Sequence, residues 1–406
     1  MSEFSCRGCE GDQASVLLDF GQMPLANAFA TNEADAAGAF RAPLTLVMCK
    51  SCKLIQLKDL VPREQLFRSY LWVTGTSAAA SDYAQKFSRR LKDRHLAQRG
   101  RFLVEIASND GFFLRHYRDA GFEILGVDPS DVALEADQKG LTSIRDFFGR
   151  RVAEEILAAY RAADVIVARN VLGHSEELRD LLDGVVRLLA PKGCFVVELP
   201  YAYFIRNDFL YDYIFHEHVS YMTVYSLSSL GERFGLKIVD ITFSPLNGGS
   251  LVVEFVRTED PAPRMDESLL AFEDHVSLNQ PEGWVDFGKA VQSQRRDFVN
   301  LLNRLRRSRQ SVVGYGASAR CMTMLTYCGV TKEQLGAMGD SNPRKHGLHC
   351  PGSGIPVLAP EELMAGKPDY VMIGAWNFKD EIIESLRKKY NYRGKYIVPL
   401  PKPTVV

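Results

Sequence analysis

Eleven residues, Tyr211-Asp-Tyr-Ile-Phe-His-Glu-His-Val-Ser-Tyr221, hold three tyrosines, two histidines and two carboxylates. Histidine is a general base near neutral pH, and a neighbouring carboxylate orients it or raises its basicity. His216-Glu217-His218 lacks the H-E-x-x-H helix spacing of metalloproteases; a second metal site and a polar helix start with a satisfied histidine remain as alternatives. A second group is Cys6-Arg-Gly-Cys9 with Cys49-Lys-Ser-Cys52. Two such pairs can put four thiolates around one structural zinc, with no position left open for catalysis. The long gap between the pairs requires a small subdomain. Four unrelated thiols, or one redox pair, is the competing reading, but a redox pair belongs beside a thioredoxin-like βαβ unit, and none lies here. His346-Gly-Leu-His-Cys350 sits among Asn342, Pro343, Gly347, Pro351 and Gly352 and reads as a loop.

Two further stretches have the form strand, turn, helix. In Val104-Glu105-Ile-Ala-Ser108-Asn109-Asp-Gly111 a polar loop follows a β run, where a cofactor can approach the backbone. Asp128, in Asp128-Pro129-Ser130 after the next β run, lies at roughly the 20-residue offset from which a carboxylate accepts bonds from both ribose hydroxyls. Asp146 is placed to meet an adenine ring, with Phe147 as a stacking partner. The loop lacks G-x-G-x-x-G, which disfavours NAD and favours S-adenosylmethionine (SAM) over it. The plain alternative is an ordinary βα loop with a solvated aspartate. In Gly314-Tyr-Gly316-Ala-Ser318 the glycines would admit a diphosphate at a helix N-terminus, with Arg320 and Lys345 adding charge. A tight turn without a ligand is the alternative there.

These residues need a scaffold, and the chain is long enough for one. Its 406 residues correspond to about three domains at roughly 150 residues each. With 46% hydrophobic and 24% charged residues the composition is globular. Lys plus Arg number 49 and Asp plus Glu 50, so the basic excess that phosphate-driven nucleic-acid binding needs is missing. The N-terminus lacks a signal-peptide core, and no stretch approaches the roughly 18 apolar residues of a membrane span. The expectation is a cytoplasmic protein with no membrane partner and with reduced thiols. Residues 81–94 are helical, with Tyr83, Phe87 and Leu91 on one face. β runs at 102–106, 124–127, 164–167 and 194–197 alternate with helices, which predicts a parallel sheet. Runs at 237–241 and 250–256, joined through a Gly-rich link, predict an antiparallel edge hairpin. Glu259-Asp-Pro-Ala-Pro263 is a boundary, followed by a long helical stretch to about Arg309. A second α/β unit has β runs at 311–316, 337–339, 370–373 and 396–398.

In this order the motifs resemble the nucleotide-sugar C-methyltransferases, SAM-dependent enzymes that make 3-C-methyl deoxysugars from keto-sugar nucleotides. The resemblance runs from the cysteine quartet through Val104–Gly111, Asp128–Ser130, Asp146-Phe-Phe148, Asn170-Val-Leu-Gly-His174 and His216–His218. It continues to Gly314–Ser318, Asp340-Ser-Asn-Pro-Arg-Lys345 and Ala375-Trp-Asn377. It implies an α/β protein with three parts: a zinc-binding domain over 1–75, a class I SAM methyltransferase domain over 76–262, and a helical linker with a Rossmann-like nucleotide-sugar domain over 263–406. It also implies that Asn170 and His174 join the cofactor residues and that Tyr70, Trp72, Phe215, Ser318, Asp340, Trp376 and Asn377 join the substrate residues. The base would be His218, taking the proton next to the sugar ketone. The enolate would then attack the SAM methyl group, with polar groups near the ketone oxygen stabilising the oxyanion. Glu217 matches the acidic residue beside the base, and Tyr221 is a hydroxyl partner or a packing residue. The chain departs from the family at Phe215 and Trp72, where tyrosine is expected, and at Ala107, where many SAM enzymes have glycine. Phe215 and Trp72 would line the sugar pocket.

Competing expectations are O-methylation of a sugar or related acceptor, a zinc-anchored binding protein without catalysis, and a NAD-dependent oxidoreductase. The last rests on Gly314-x-Gly316 alone, with Ala319 where a third glycine would stand.

Overall fold

The computed structural model describes residues 4–66, 78–138, 140–244 and 249–406. Among them the strands form three sheets. The N-terminal sheet is built from β1 (Ala14–Pro24), β2 (Arg41–Cys49) and β3 (Ile55–Leu57), paired antiparallel in that order. The central sheet begins with β4 (Phe102–Ile106), β5 (Glu123–Val127), β6 (Ser143–Ile144), β7 (Ala163–Arg169) and β8 (Leu189–Pro200). β9 (Ser220–Tyr221) leaves the central sheet and pairs with β3, Ile55 opposite Tyr221. β10 (Leu236–Ser244) and β11 (Ser250–Arg257) return as an antiparallel hairpin on β8.

The central order is β10-β11-β8-β7-β4-β5-β6. Its five inner and far strands are parallel, and they read as near-continuous apolar runs because helices cover both faces. Every residue of β4 is buried. The helix Ala78–Leu91 lays Phe87 and Leu91 into this core and passes into a π-helical turn, Lys92–Leu96.

The C-terminal sheet comprises β12 (Val312–Tyr315), β13 (Met338–Gly339), β14 (Val357–Leu358), β15 (Tyr370–Ile373), β16 (Lys395–Val398) and β17 (Thr404–Val405). Its order is β14-β13-β12-β15-β16-β17, parallel except for β17. Both parallel sheets reverse direction at their first strand, β4 and β12, the point at which open α/β sheets bind ligands.

The long helical stretch expected up to Arg309 is broken. Helix Ser268–His275 ends before Ser277 at φ 52°, and a 3-10 turn starting at Pro281 leads into helix Val285–Arg307. Proline cannot donate to an ongoing helix, so it starts a new one. The arginines near the end of that helix face solvent. One cluster of buried apolar residues runs from Cys6 to Leu400 and joins all three sheets. Among the described residues no helix is long and apolar enough to cross a membrane.

Candidate active site

The two Cys-x-x-Cys segments fold alike. Cys6 N–H reaches Gly11 O and Glu10 N–H returns to Cys6 O; Cys49 N–H reaches Leu54 O and Lys53 N–H returns to Cys49 O. Glu10 and Lys53, at matching places, both take left-handed backbones. These twin knuckles bring the four sulfurs within 4.8 Å of one another, with Cys6–Cys52 and Cys9–Cys49 at 3.5 Å. Four sulfurs about 2.3 Å from a tetrahedral zinc stand roughly 3.8 Å apart, so the set fits the ion. Gln56 Nε2 donates to Cys6 Sγ at 3.0 Å. The Cys52 thiol, and with it Gln56, holds the Cys6 sulfur below the ordinary thiol pKa, towards the thiolate that a metal needs.

At the carboxyl end of β4 the chain turns through three left-handed residues, Ala107, Asn109 and Gly111. A Cβ on Gly111 would fall 2.7 Å from Leu141, so this position admits only glycine. Asp128, at the end of β5, is buried; its Oδ2 accepts the Asn109 N–H at 2.9 Å and its Oδ1 accepts the Ser130 N–H. Asp128 therefore shapes the loop, with Pro129 half-buried beside it. Phe147, beyond β6, is 46% exposed, and Asp146 pairs with Arg151. Asn170 follows β7 with φ 53°. The loop, the carboxylate, the ring and Asn170 thus sit at the carboxyl ends of four strands flanking the reversal point, the place at which open α/β sheets bind ligands.

Glu105 and Ser108 lie beneath this loop. Glu105 is buried against the Tyr117 hydroxyl, and burial pushes its carboxyl up to about 8. The Ser108 hydroxyl is buried without a partner and packs where a Gly126 side chain would be. Both brace the loop from below. Sequence reasoning missed the supports beside them. Arg169 Nε donates to Glu198 at 2.7 Å, the Tyr83 hydroxyl donates to the same carboxylate, and the guanidinium lies 3.3 Å from the Phe113 ring centroid. The sequence marks none of these as a pair, because they lie on different elements.

The stretch from Tyr211 to Tyr221 is irregular apart from a 3-10 turn at Tyr211–Tyr213 and the short β9. His218 Nδ1 meets Tyr213 O at 2.7 Å. The carbonyl can only accept, so Nδ1 carries the proton and Nε2 the lone pair. The ring is enclosed by Phe215, Tyr213 and His174, with centroids at 4.0, 4.2 and 4.7 Å. Burial, then the neighbouring His174, holds its pKa well below the ordinary histidine value, so it is a neutral base at pH 7. A small cavity opens between His218, Tyr221, Asn170 and Gly173. Tyr221 is buried there, its hydroxyl lacking a well-formed hydrogen bond.

His174, expected with the cofactor residues, joins His218 in this cavity, their ring centroids 4.7 Å apart. Glu217 is buried and accepts Asn27 Nδ2 at 2.7 Å; burial lifts its carboxyl to about 7. His216 does not line the cavity; its Nε2 lies 3.3 Å from both Ala42 O and Pro43 O in β2. Tyr70 and Trp72 lie outside the described residues.

In the C-terminal sheet the side chains expected to meet phosphates have protein partners instead. Arg320 forms a two-bond pair with Asp212 at 3.0 Å, and Trp376 Nε1 donates to the same carboxylate at 2.8 Å. Lys345 Nζ reaches Ala317 O at 2.7 Å and Asp340 at 3.3 Å, while Asp340 also accepts the Ala317 N–H. Gly314 packs against Met338, and Gly316, at φ 91°, against Ala375. Both glycines are accounted for by packing and turn geometry. Ser318 caps helix Ala319–Cys328, and Asn377 is exposed.

Three families match parts of the chain. One described as "Putative zinc binding domain" matches residues 6–67, a methyltransferase domain matches 78–241, and a C-methyltransferase C-terminal domain matches 245–401. In sequence the chain is 32% identical to C-methyltransferase NovU of Streptomyces niveus over 405 residues, covering 99% of this chain and 96% of that protein. In structure it is similar to magnesium protoporphyrin IX methyltransferase from Synechocystis PCC 6803 with bound SAM. That likeness is 15% identical with a TM-score of 0.33, covering 45% of this chain and 85% of the other. A SAM-dependent methyltransferase from Mesorhizobium loti is 18% identical with a TM-score of 0.32, covering 43% and 98%.

Proposed function

The chain belongs to the C-methyltransferase family, a SAM-dependent methyltransferase with a zinc module, and from that premise we propose that its acceptor is a nucleotide-linked keto-deoxysugar methylated at the carbon α to the ketone. His218 is the base. The single observation that carries this reading is the Nδ1–Tyr213 bond, which leaves a neutral Nε2 lone pair for a carbon acid. The base removes the α-proton as the C–H pair moves into the enolate, and the buried Tyr221 hydroxyl is free to donate to the oxygen where charge develops. When bound, SAM supplies a sulfonium-activated methyl group, which the enolate carbon takes as the sulfur leaves as a neutral thioether. Asp128 and Asn170 hold the donor on one side of the cavity, while Phe215 and His174 exclude water from the base. In this division residues 1–75 hold zinc, 76–262 the donor, and 263–406 the nucleotide of the acceptor, at the carboxyl ends of β12 and β13 beside Ser318 and Asn377.

The test offers SAM with a panel of thymidine- and uridine-diphosphate keto-deoxysugars and follows a one-methyl mass gain. In deuterium oxide without SAM, the α-proton washes out with the wild type and stays with His218→Ala. Methylation without any wash-out would point to an oxygen acceptor and sink the enolate reading.

A further inference from the structure

The geometry points to Asp212 as a positioning residue that fixes the proton on His218, with the C-terminal sheet as its anchor. Only 1% of the Asp212 side chain is exposed. Its two oxygens face Arg320 Nε and Nη2, each at 3.0 Å, and Oδ2 also takes Trp376 Nε1 at 2.8 Å. The guanidinium lies 5.0 Å from the Trp376 ring centroid and 5.3 Å from that of Tyr213. A buried carboxylate held by a fork and a third donor has one orientation. Asp212 is the middle residue of the single turn Tyr211–Tyr213, and the carbonyl that ends this turn accepts the His218 Nδ1 proton.

On the other side, the Tyr211 hydroxyl donates to Gln294 at 2.6 Å. The turn has little regular structure of its own, so these outer bonds set where the Tyr213 carbonyl points. Arg320 stands in the first turn of the helix after β12, and Trp376 follows β15. The half of the molecule proposed to hold the acceptor's nucleotide therefore also sets the tautomer of the base. This inference rests on the reading of His218 as base.

The test needs no acceptor. Full-length zinc-loaded protein carrying 15N-histidine is examined by NMR, with the His218 signals identified by their loss in His218→Gln. The wild type shows the Nδ1–H form. Asp212→Asn moves the tautomer ratio towards Nε2–H by roughly tenfold, with zinc content unchanged. Trp376→Phe, which removes one bond and leaves the ion pair, moves it the same way by less. If Asp212→Asn does not fold, Trp376→Phe decides alone. A folded Asp212→Asn, or failing that a folded Trp376→Phe, with the wild-type tautomer ratio overturns the proposal. Failure of every keto-sugar to be methylated would sink the acceptor assignment and leave the tautomer result standing.

Discussion

A proton added to His218 would sit against Phe215, Tyr213 and a second histidine, where little water is available to stabilise it. The ring stays neutral well below pH 6.5, so the acid limb of kcat/KM should fall below that value. An acid limb at 6.5 or above that persists in Glu217→Gln would contradict this. Glu217 itself carries a separate signature. Its carboxyl is raised to about 7 from an ordinary 4.5, so between those values the folded chain holds a proton that the unfolded chain has lost. Stability is then highest below about 4.5 on this account and falls as pH rises to 7, by up to about 3 kcal/mol. Glu217→Gln should flatten that part of the pH–stability curve; an unchanged slope by chemical denaturation would remove the assignment. Ala107 offers a simpler test, since it holds φ 58°. Ala107→Gly should stabilise by about 0.5–1 kcal/mol, the relief of a left-handed side chain less the entropy cost of glycine. Thermal unfolding checks it, and a destabilised variant would show that the Ala107 methyl packs usefully. The cysteine quartet was legible in sequence because its chemistry is rare and local. Asp212 was not, because its partners stand more than a hundred residues away.

Among the elements, β4, β7 and β8 were legible because strands buried on both faces spell continuous apolar runs. β1 and β2 were not. β1 is an edge strand with register breaks at Val16/Leu18 and Asp19/Gln22, and β2 carries Pro43 beside the second break, so neither shows clean alternation. The long linker helix was overread because Pro281 can start a helix as well as end one. The short pieces β6 and β14 carry only two residues each, too few for a period to appear. The knuckles show why this scale matters for function. The second knuckle joins β2 to β3, and β3 carries β9 on its free edge, where Gln56 pairs with Ser220, two residues after His218. Cys49→Ser should abolish the stoichiometric zinc, loosen β3 and β9 and so lower methyl transfer. Metal analysis with amide hydrogen exchange over residues 55–57 and 219–222 reads both. Full protection after zinc loss would show that the sheet holds without the ion.

At the scale of the whole molecule, the stretch from Tyr211 to Tyr221 is a loop whose conformation is imposed by its surroundings. From the N-terminal side Asn27 binds Glu217, the Ala42 and Pro43 carbonyls face His216, and Arg7 spans two carbonyls. From the C-terminal side Arg320 and Trp376 hold Asp212. Glu273, in the linker and fully buried, takes four donors: the Tyr201 hydroxyl, the amides of Val224 and Tyr225, and Asn279. It so caps the helix that follows β9. A near-neutral chain can be assembled this way because its charges are spent on one another across modules, as Arg320 with Asp212 shows. Arg7 separates this coupling from the metal itself. It lies between two zinc ligands in sequence, yet its Nη2 donates at 2.6 Å to both Leu57 O and Val219 O, joining β3 to the residue after His218. Arg7→Leu keeps the thiols and much of the packing while removing the guanidinium tie between those two carbonyls, and Val219 O keeps only the Leu57 N–H at 3.0 Å. Zinc should remain at one per chain and SAM affinity should hold, since the loop after β4 belongs to the central sheet and Arg7 bonds to β3 of the N-terminal sheet. Methyl transfer should fall by roughly 10- to 100-fold, the size of effect that a base displaced by about 1 Å produces. Metal analysis, calorimetry with SAM and turnover measure the three quantities separately. Wild-type turnover in the variant would mean that the zinc module merely sits beside the active site, whereas loss of turnover alone means that it shapes the loop that carries the base.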